Sequence, residues 1–221
     1  MNRRMHGRMR GKMADLKIGK MVLGACQTNC YFVYLEGSDK VLVLDPADQG
    51  RYIYDTLSQK GFQVAAILLT HGHFDHIWGV KELQKLSGAR VYACEGEKAL
   101  CEDADLNVSK RVRRPCIVKA DFYVRDREEI TIEGITCRLI ATPGHTAGSC
   151  CYYFEDAGIL FSGDTLFCES VGRTDLPTGS MSALVHSVRE KLLPLPEEVR
   201  VYPGHGESTT IGHEKKYNAF L

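Results

Sequence analysis

The segment LLTHGHFDHIWG, residues 68–79, places three histidines and one aspartate within the six residues 71–76. It continues the apolar run VAAILLT (64–70), which predicts a strand that is buried on both faces. Imidazole and carboxylate groups are common metal ligands, and four of them so close together need a shared explanation. The segment therefore predicts a metal site whose remaining ligands lie elsewhere in the chain.

The spacing within this segment predicts two neighbouring metal positions. His71 and His73 are two residues apart, so in extended backbone their side chains project the same way and can bind one ion together. Asp75 and His76 follow where a helix is predicted to begin, and they would point at an adjacent position.

Three further ligand-type residues each follow a predicted strand through Gly or Pro-Gly. They come after the runs CRLIATPG, GILFSG and VRVYPG, and they are His145, Asp164 and His205. Loops beyond strand ends are where α/β proteins build their sites. Adding one histidine to each pair gives two half-sites of three residues, and the carboxylate of Asp164 can bridge them.

A ligand set of imidazoles and carboxylates without thiolate suits zinc, iron or manganese. We expect two divalent ions, with zinc as the first choice and iron or manganese as alternatives. Two such ions lie about 3.5–4 Å apart with a water or hydroxide between them, and they lower the pKa of that water to roughly 7. The pattern thus predicts a nucleophile available at neutral pH.

Other residues of ligand type are assigned no metal. His6 lies in a basic segment, His186 falls on the polar side of a predicted helix, and His213 has no partner motif. Asp45 precedes a proline and is interpreted as a turn or cap residue. Cys168 lies close behind the predicted bridging aspartate and is interpreted as a wall of the site.

The composition limits the classes of binding partner and the cellular compartment that we expect. Lysine plus arginine and aspartate plus glutamate number 28 each, so no net positive charge favours nucleic acid. No apolar run approaches the roughly 20 residues that cross a bilayer. The nine cysteines are scattered and never spaced C-x-x-C, which favours buried thiols in a reducing cytoplasm. We expect a small-molecule substrate, no nucleic-acid or membrane partner, and leave the oligomeric state open.

The chain of 221 residues is predicted to form one domain over 13–221 after a disordered basic tail, MNRRMHGRMRGK, over 1–12. Within the domain, strands outnumber helices, which predicts two packed sheets with helices outside. Strands are predicted at 30–35, 40–47, 64–70, 89–94, 149–155 and 158–164, with a hairpin over 129–143 and a further strand and loop over 198–206. Helices are predicted at 51–60, 76–86, 95–104 and 181–192, the last capped by Ser180, with a short helix or tail at the end of the chain.

Four ordered motifs resemble those of the metallo-β-lactamase superfamily: THGHFDH (70–76), TPGHTAGS (142–149), FSGDTLF (161–167) and YPGHG (202–206). The resemblance implies an αβ/βα sandwich of two mixed β-sheets with outer helices and a dinuclear site at the sheet edge. It implies that one ion is bound by His71, His73 and His145. The other would be bound by Asp75, His76 and His205, with Asp164 shared.

The segment DTLFCESVGRTDLPTGS (164–180) resembles the compact, glyoxalase II-like (hydroxyacylglutathione hydrolase-like) hydrolases of bacteria. That resemblance implies hydrolysis of a thioester such as S-lactoylglutathione by a metal-bridging hydroxide, with Asp75 and Asp164 as the catalytic carboxylates. Common dinuclear lactamases carry a cysteine where this chain has Asp164, which counts against antibiotic hydrolysis. Arg173 stands where glyoxalase II has a glutathione-contacting lysine, and we assign it, with Phe167, to substrate binding. An ion pair with Asp175 is the alternative role for Arg173.

Three questions stay open at this point. The chain ends 16 residues after His205, where full-length glyoxalase II continues into a helical domain, so the thiol carrier is not fixed. A lactonase or other ester hydrolase would use the same dinuclear site. A persulfide dioxygenase has this fold with one iron and much of the same ligand set.

Overall fold

Two six-stranded β-sheets form the centre of the protein in the computed structural model, which describes residues 15–221. In spatial order, the first sheet contains β1 (Leu16–Leu23), β2 (Thr28–Leu35), β3 (Lys40–Leu44), β4 (Gln63–Leu68), β5 (Arg90–Cys94) and β6 (Phe122–Val124). The second contains β14 (Thr209–Thr210), β13 (Arg200–Pro203), β10 (Ile159–Gly163), β9 (Cys150–Phe154), β8 (Ile135–Ala141) and β7 (Glu129–Ile132). A separate hairpin pairs β11 (Leu166–Phe167) with β12 (Ser170–Val171).

The helices lie between these strands in the chain. They are α1 (Gly50–Gln59), α2 (Phe74–Ile77), α3 (Val80–Ser87), α4 (Lys98–Cys101), α5 (Met181–Ser187) and α6 (Ile211–Tyr217). A 3₁₀ turn, Glu95–Glu97, leads directly into α4, and a π-helical turn, Val188–Leu192, extends α5. No helix within residues 15–221 has both the length and the apolar character that a membrane span requires.

Both sheets are mixed. In the first, β1, β2 and β3 are antiparallel, whereas β3, β4, β5 and β6 are parallel. In the second, only β10 and β13 are parallel, and the other pairs are antiparallel. Within each sheet the parallel strands have their carboxyl ends on one side. The Asn29 amide of β2 donates to the Gly204 carbonyl at 2.7 Å, which holds the loop after β13 against the first sheet.

Three apolar layers hold the sheets and helices together. Leu42 and Leu68 of the first sheet pack against Tyr152 and Phe161 of the second, which forms the central layer. The outer layers pack α1 and α3 on the first sheet and α5 on the second. Full burial of one such side chain contributes about 1.5–3 kcal/mol. The layers confirm the predicted αβ/βα sandwich of two mixed β-sheets with outer helices.

Strand β4 shows how the sequence pattern becomes this architecture. Ile67 belongs to the outer layer and Leu68 to the central layer, and both are fully buried. A strand covered on both faces needs apolar residues at successive positions, so the continuous apolar run predicted it correctly. Beyond β4 the chain is held to the second sheet, because the Cys150 amide donates to the Thr70 carbonyl at 2.9 Å.

Some elements differ from their predictions. The helix predicted at 76–86 is divided into α2 and α3, because the Gly79 amide donates to the Pro46 carbonyl at 2.9 Å. The helix predicted at 95–104 is α-helical only in α4. Strand β1 was not predicted, since it lies at an edge and is mostly half-buried, without a clear apolar alternation. The predicted tail, residues 1–12, lies outside the described residues, and the single domain over 13–221 stays a prediction.

Candidate metal centre

Three histidines from two loops form a compact, buried group. His71 and His73 follow β4, and His145 follows β8, and each is at most 3% exposed. His73 Nδ1 lies 2.8 Å from His145 Nε2, which itself lies 3.2 Å from His71 Nε2. One ligand atom from each residue lies within 4.8 Å of the other two, so the group can hold one metal ion.

A second group lies beside the first and contains Asp75, His76 and His205. His205 follows β13, and its Nε2 lies 3.3 Å from Asp75 Oδ2. His76 Nε2 lies 3.8 Å from the same carboxylate oxygen. This group is also compact enough to hold an ion, and it is more open, because the His205 side chain is 29% exposed.

The carboxylate of Asp164 lies between the two groups. Its Oδ2 is 3.6 Å from His145 Nε2 in the first group and 3.5 Å from His205 Nε2 in the second. Its Oδ1 is 3.4 Å from His76 Nε2. Since Oδ2 faces both groups and Oδ1 faces the second, this carboxylate is placed to bridge them, and the fold brings all seven predicted ligand residues together.

The buried polar atoms at this place fit a cation. Three of them lack a hydrogen-bond partner among residues 15–221: His73 Nε2, His76 Nε2 and Asp164 Oδ1. Buried polar groups are otherwise nearly always paired, so such a cluster requires an explanation. His145 Nε2 also faces two imidazole nitrogens, and at most one proton could lie in each of these contacts. Positive ions between the rings would satisfy all of these atoms at once.

The electrostatics of the two groups differ. Burial lowers the pKa of His73 to about 3, and it lowers the pKa of His71 well below its ordinary value, with neighbouring imidazoles adding to the effect. These rings are therefore neutral, which is the form that binds metal. Burial opposes charge on Asp164 as well, but the pKa of this carboxyl still lies well below its usual range because His76 and His205 face it.

In the second group, the carboxylates have the larger effect on the pKa values of the histidines. Burial alone would lower the pKa of His76, but several carboxylates outweigh it and raise that pKa well above the ordinary value: Asp164, Asp75 and Asp45. Burial also opposes charge on His205, yet hydrogen bonds to Asp164 and Asp75 raise its pKa to about 9. The second group thus attracts positive charge, whether a proton or a metal ion supplies it.

Two glycines allow the loops to approach the ligands. Gly144, beside His145, has φ of +147°, and a Cβ there would lie 2.3 Å from the Leu184 backbone. A Cβ on Gly204, beside His205, would lie 2.2 Å from Asp164 Oδ1. Neither position could carry a side chain without displacing the site, which explains the Gly before each of these ligands.

Asp45 was interpreted from the sequence as a turn or cap residue, and that interpretation missed its contact with the site. The residue is 3% exposed, and its Oδ2 lies 2.9 Å from His76 Nδ1. It also accepts hydrogen bonds from the Thr70 amide at 2.8 Å and the Thr70 hydroxyl at 2.6 Å. Asp45 therefore orients an imidazole of the second group, as carboxylates commonly do behind metal-binding histidines. Its place after the apolar strand β3, which neighbours β4, was the available signal.

The two predicted substrate-binding residues lie near the ligands. The Phe167 ring is centred 6.2 Å from the His205 ring. The Arg173 carbonyl is 2.7 Å from His145 Nδ1 and fixes that ring, while the guanidinium binds Asp175 with two contacts of 2.7 and 2.8 Å. Both charged side chains are largely exposed. Substrate binding by Phe167 and Arg173 stays a prediction.

A third set of ligand-type atoms lies at the tip of the β11–β12 hairpin. Atoms of Cys168, Glu169 and His213 come within 4.8 Å of one another, although we had assigned His213 no partner. His213 Nε2 lies 2.9 Å from Glu169 Oε1, so these two side chains satisfy each other. All three side chains are at least partly exposed, which distinguishes them from the buried three-histidine group.

Comparisons with known sequences agree with this geometry. The family described as the metallo-beta-lactamase superfamily matches residues 23–205. The probable metallo-hydrolase YqgX of Bacillus subtilis is 39% identical over 208 residues, covering 93% of this chain and 98% of that protein. The hydroxyacylglutathione hydrolase GloC of Haemophilus influenzae is 30% identical over 204 residues, covering 89% and 94%.

Solved structures are similar over nearly the whole described chain. The BLEG-1 B3 metallo-beta-lactamase has a TM-score of 0.88 at 38% identity, covering 93% of this chain and 99% of that one. TTHA1623 in a di-iron-bound form has a TM-score of 0.78 at 36% identity, covering 92% and 100%. ETHE1 from Myxococcus xanthus has a TM-score of 0.76 at 26% identity, covering 92% and 83%.

Proposed function

Since the chain belongs to the metallo-β-lactamase superfamily, whose members include its metallo-hydrolase relatives, we propose that it hydrolyses a thioester such as S-lactoylglutathione or a related acyl-thiol. The convergence of seven ligand-type side chains, with Asp164 between two groups of three, carries this proposal. The 30% identity to a protein named hydroxyacylglutathione hydrolase supports the thioester as substrate class.

We assign the metal ligands as two sets that share Asp164. His71, His73 and His145 would hold one ion. Asp75, His76 and His205 would hold the other. Zinc is the proposed metal, because buried neutral imidazoles are favoured zinc ligands. The structure of TTHA1623 in a di-iron-bound form makes iron the alternative to test beside it.

The proposed reaction adds the oxygen of water to the thioester carbonyl carbon, breaks the carbon–sulfur bond, and releases a carboxylate, a thiol and a proton. When bound, the two ions would supply the Lewis-acid chemistry, since they acidify a coordinated water and polarise a carbonyl oxygen. The chain's own residues orient the reactants. Asp75 accepts a hydrogen bond from the Thr28 hydroxyl at 3.1 Å, which fixes a carboxylate that would orient the attacking water. Asp45 fixes His76 from behind.

Substrate binding is proposed for Phe167 and Arg173, and the arginine allows a test. We expect Arg173→Gln to raise the KM for S-lactoylglutathione about 10-fold with little change in kcat, because a charged hydrogen bond contributes about 1.5–3 kcal/mol. Arg200→Gln is the matched control, since Arg200 begins β13 at the end opposite His205. An unchanged KM would assign Arg173 solely to its ion pair with Asp175.

A substrate panel tests the proposed function. Purified protein loaded with zinc or iron would be assayed with S-lactoylglutathione, other acyl thioesters, a lactone, a β-lactam, and glutathione persulfide with oxygen consumption recorded. The β-lactam is the second candidate, because the protein is 38% identical to BLEG-1, a B3 metallo-beta-lactamase. We expect the highest kcat/KM for a thioester. If a lactone, the β-lactam or the persulfide is turned over about 100-fold better, the thioester proposal is wrong.

We propose that this reaction takes place in the cytoplasm on a small molecule, without a nucleic-acid or membrane partner. All nine cysteines are free thiols, and six of them are buried. Free buried thiols are typical of proteins kept in reducing compartments.

A further inference from the structure

We propose that Glu97 is a positioning residue that locks together the two loops carrying His71, His73 and His145, and so fixes the first metal position. This inference rests on the metal assignment of the proposed function. Glu97 lies outside both ligand groups, at the end of the 3₁₀ turn that precedes α4, and its side chain is only 1% exposed.

The carboxylate of Glu97 bonds to both ligand loops at once. Its Oε1 accepts a hydrogen bond from the Gly72 amide at 2.9 Å, between the two histidines that follow β4. The Thr146 hydroxyl, next to His145, lies 2.9 Å from both Oε1 and Oε2. One buried side chain therefore fixes the separation of two loops that are distant in sequence.

The direction of the hydrogen bonds requires an acceptor at this position. The Thr146 amide donates to Ser149 Oγ at 3.0 Å, and the two hydroxyl oxygens are 2.6 Å apart. The Ser149 hydroxyl can therefore donate to Thr146, and the Thr146 hydroxyl donates onward to Glu97. Amide and hydroxyl donors thus all point at the carboxylate. A glutamine has the same shape but presents an NH₂ group on one side, so the Thr146 hydroxyl would have to accept from it and reverse its own donation towards Ser149.

The backbone around Glu97 leaves no room for another arrangement. A Cβ on Gly148 would lie 2.1 Å from the Glu97 amide nitrogen, so the two chain segments are in direct contact. A Cβ on Gly72 would lie 2.7 Å from Cys101 Sγ, at the end of α4. The short segment 95–101 is therefore packed against both ligand loops, and Glu97 supplies the polar contacts at the centre of that packing.

A residue that only filled this buried space would be apolar rather than acidic. No lysine or arginine among residues 15–221 lies within ion-pair distance of Glu97. Burial raises the pKa of Glu97 to about 7, and the hydrogen bonds from Gly72 and Thr146 offset only part of that effect. A buried carboxylate without a cation is costly, and it is retained where specific donors need it.

The contacts of Glu97 are confined to one of the two metal positions. They reach the loops of the three-histidine group and none of Asp75, His76 and His205. The second group has its own support, since Asp45 orients His76. The proposal therefore predicts that loss of the Glu97 carboxylate weakens metal binding at one position and not at the other. A general loss of protein stability would not produce this difference.

The test compares zinc binding by the metal-free full chain and by Glu97→Gln, in competition with a chromogenic chelator. Loss of a residue behind metal ligands commonly costs 10–100-fold in affinity, so we expect one of the two sites to weaken about 10–100-fold and the other to change less than about twofold. Glu95→Gln is the matched control, because Glu95 has the same charge in the same turn but is exposed. Its two affinities should match those of the unmodified chain.

Two further readouts separate positioning from folding. Cobalt bound to the weakened site should show altered visible absorption bands, and metal-free Glu97→Gln and Glu95→Gln should unfold at similar temperatures. If Glu97→Gln fails to fold, Thr146→Val provides the test, because it removes one hydrogen-bond donor to Glu97 without adding volume. It should weaken the same site. Two unchanged affinities, or an equal loss at both sites, would overturn the role of Glu97. An unmodified chain that binds two ions but cleaves no thioester would refute only the proposed substrate.

Discussion

Replacing Asp164 with alanine should reduce thioester hydrolysis at least about 1,000-fold and remove at least one metal ion per chain. Asp164 is the residue whose oxygens face both ligand groups, at 3.6 Å from His145 Nε2 and 3.5 Å from His205 Nε2. Its loss would leave five imidazoles and one carboxylate, Asp75, as the proposed ligands of two positive ions. The bridging position would then be open to water, and the two ions would repel each other without a shared carboxylate.

The measurement combines metal analysis of the purified variant with its turnover of S-lactoylglutathione. Asp156→Ala is the matched control, because Asp156 is an exposed aspartate in the turn before β10, whereas Asp164 follows the same strand. We expect the control to retain metal and activity, and His73→Ala to lose both as Asp164→Ala does. Full metal content and full turnover in Asp164→Ala would contradict the proposed ligand set.

Removing the metal from the unmodified protein should abolish activity and lower the unfolding temperature by about 10 °C. A ligand present at about 1,000 times its Kd stabilises the folded state by about 4 kcal/mol, and 1 kcal/mol shifts the midpoint of a 150–250-residue domain by roughly 2–4 °C. Three buried atoms in the site also have no other hydrogen-bond partner among residues 15–221: His73 Nε2, His76 Nε2 and Asp164 Oδ1. Without the ions, no hydrogen bond would offset the cost of burying these three atoms.

Thermal unfolding would be followed by circular dichroism before chelation, after chelation and after zinc is returned. Magnesium serves as the control ion, because it prefers oxygen ligands and near-octahedral geometry. We expect zinc, and not magnesium, to restore both the midpoint and the turnover. An equal midpoint in the chelated and zinc-loaded protein would show that these side chains do not bind metal tightly.

The fold and the convergence of the ligand residues could be predicted because both follow from short-range patterns. The apolar run before His71 is continuous since β4 is buried on both faces, and such a run is recognisable in sequence. His145, Asp164 and His205 follow β8, β10 and β13, and these three strands run in the same direction, so their following loops lie at one edge of the sheet. The superfamily resemblance was confirmed by the family match over residues 23–205.

The supporting residues could not be predicted in the same way, because their roles depend on neighbours far away in sequence. Asp45 contacts His76 only because β3 and β4 pair side by side. Glu97 lies 49 residues from Thr146, and nothing near either residue indicates that the two side chains meet. The Arg173 guanidinium binds Asp175, and the sequence did not decide between this ion pair and a contact with the substrate.

Anomalous diffraction from crystals of the protein purified from its own host, collected at the zinc and iron absorption edges, would locate the metal ions. We expect two ions per chain, about 3.5–4 Å apart. His71, His73 and His145 would surround one ion, Asp75, His76 and His205 would surround the other, and Asp164 would contact both. An ion bound elsewhere in the chain, or no anomalous signal at these seven side chains, would contradict this expectation.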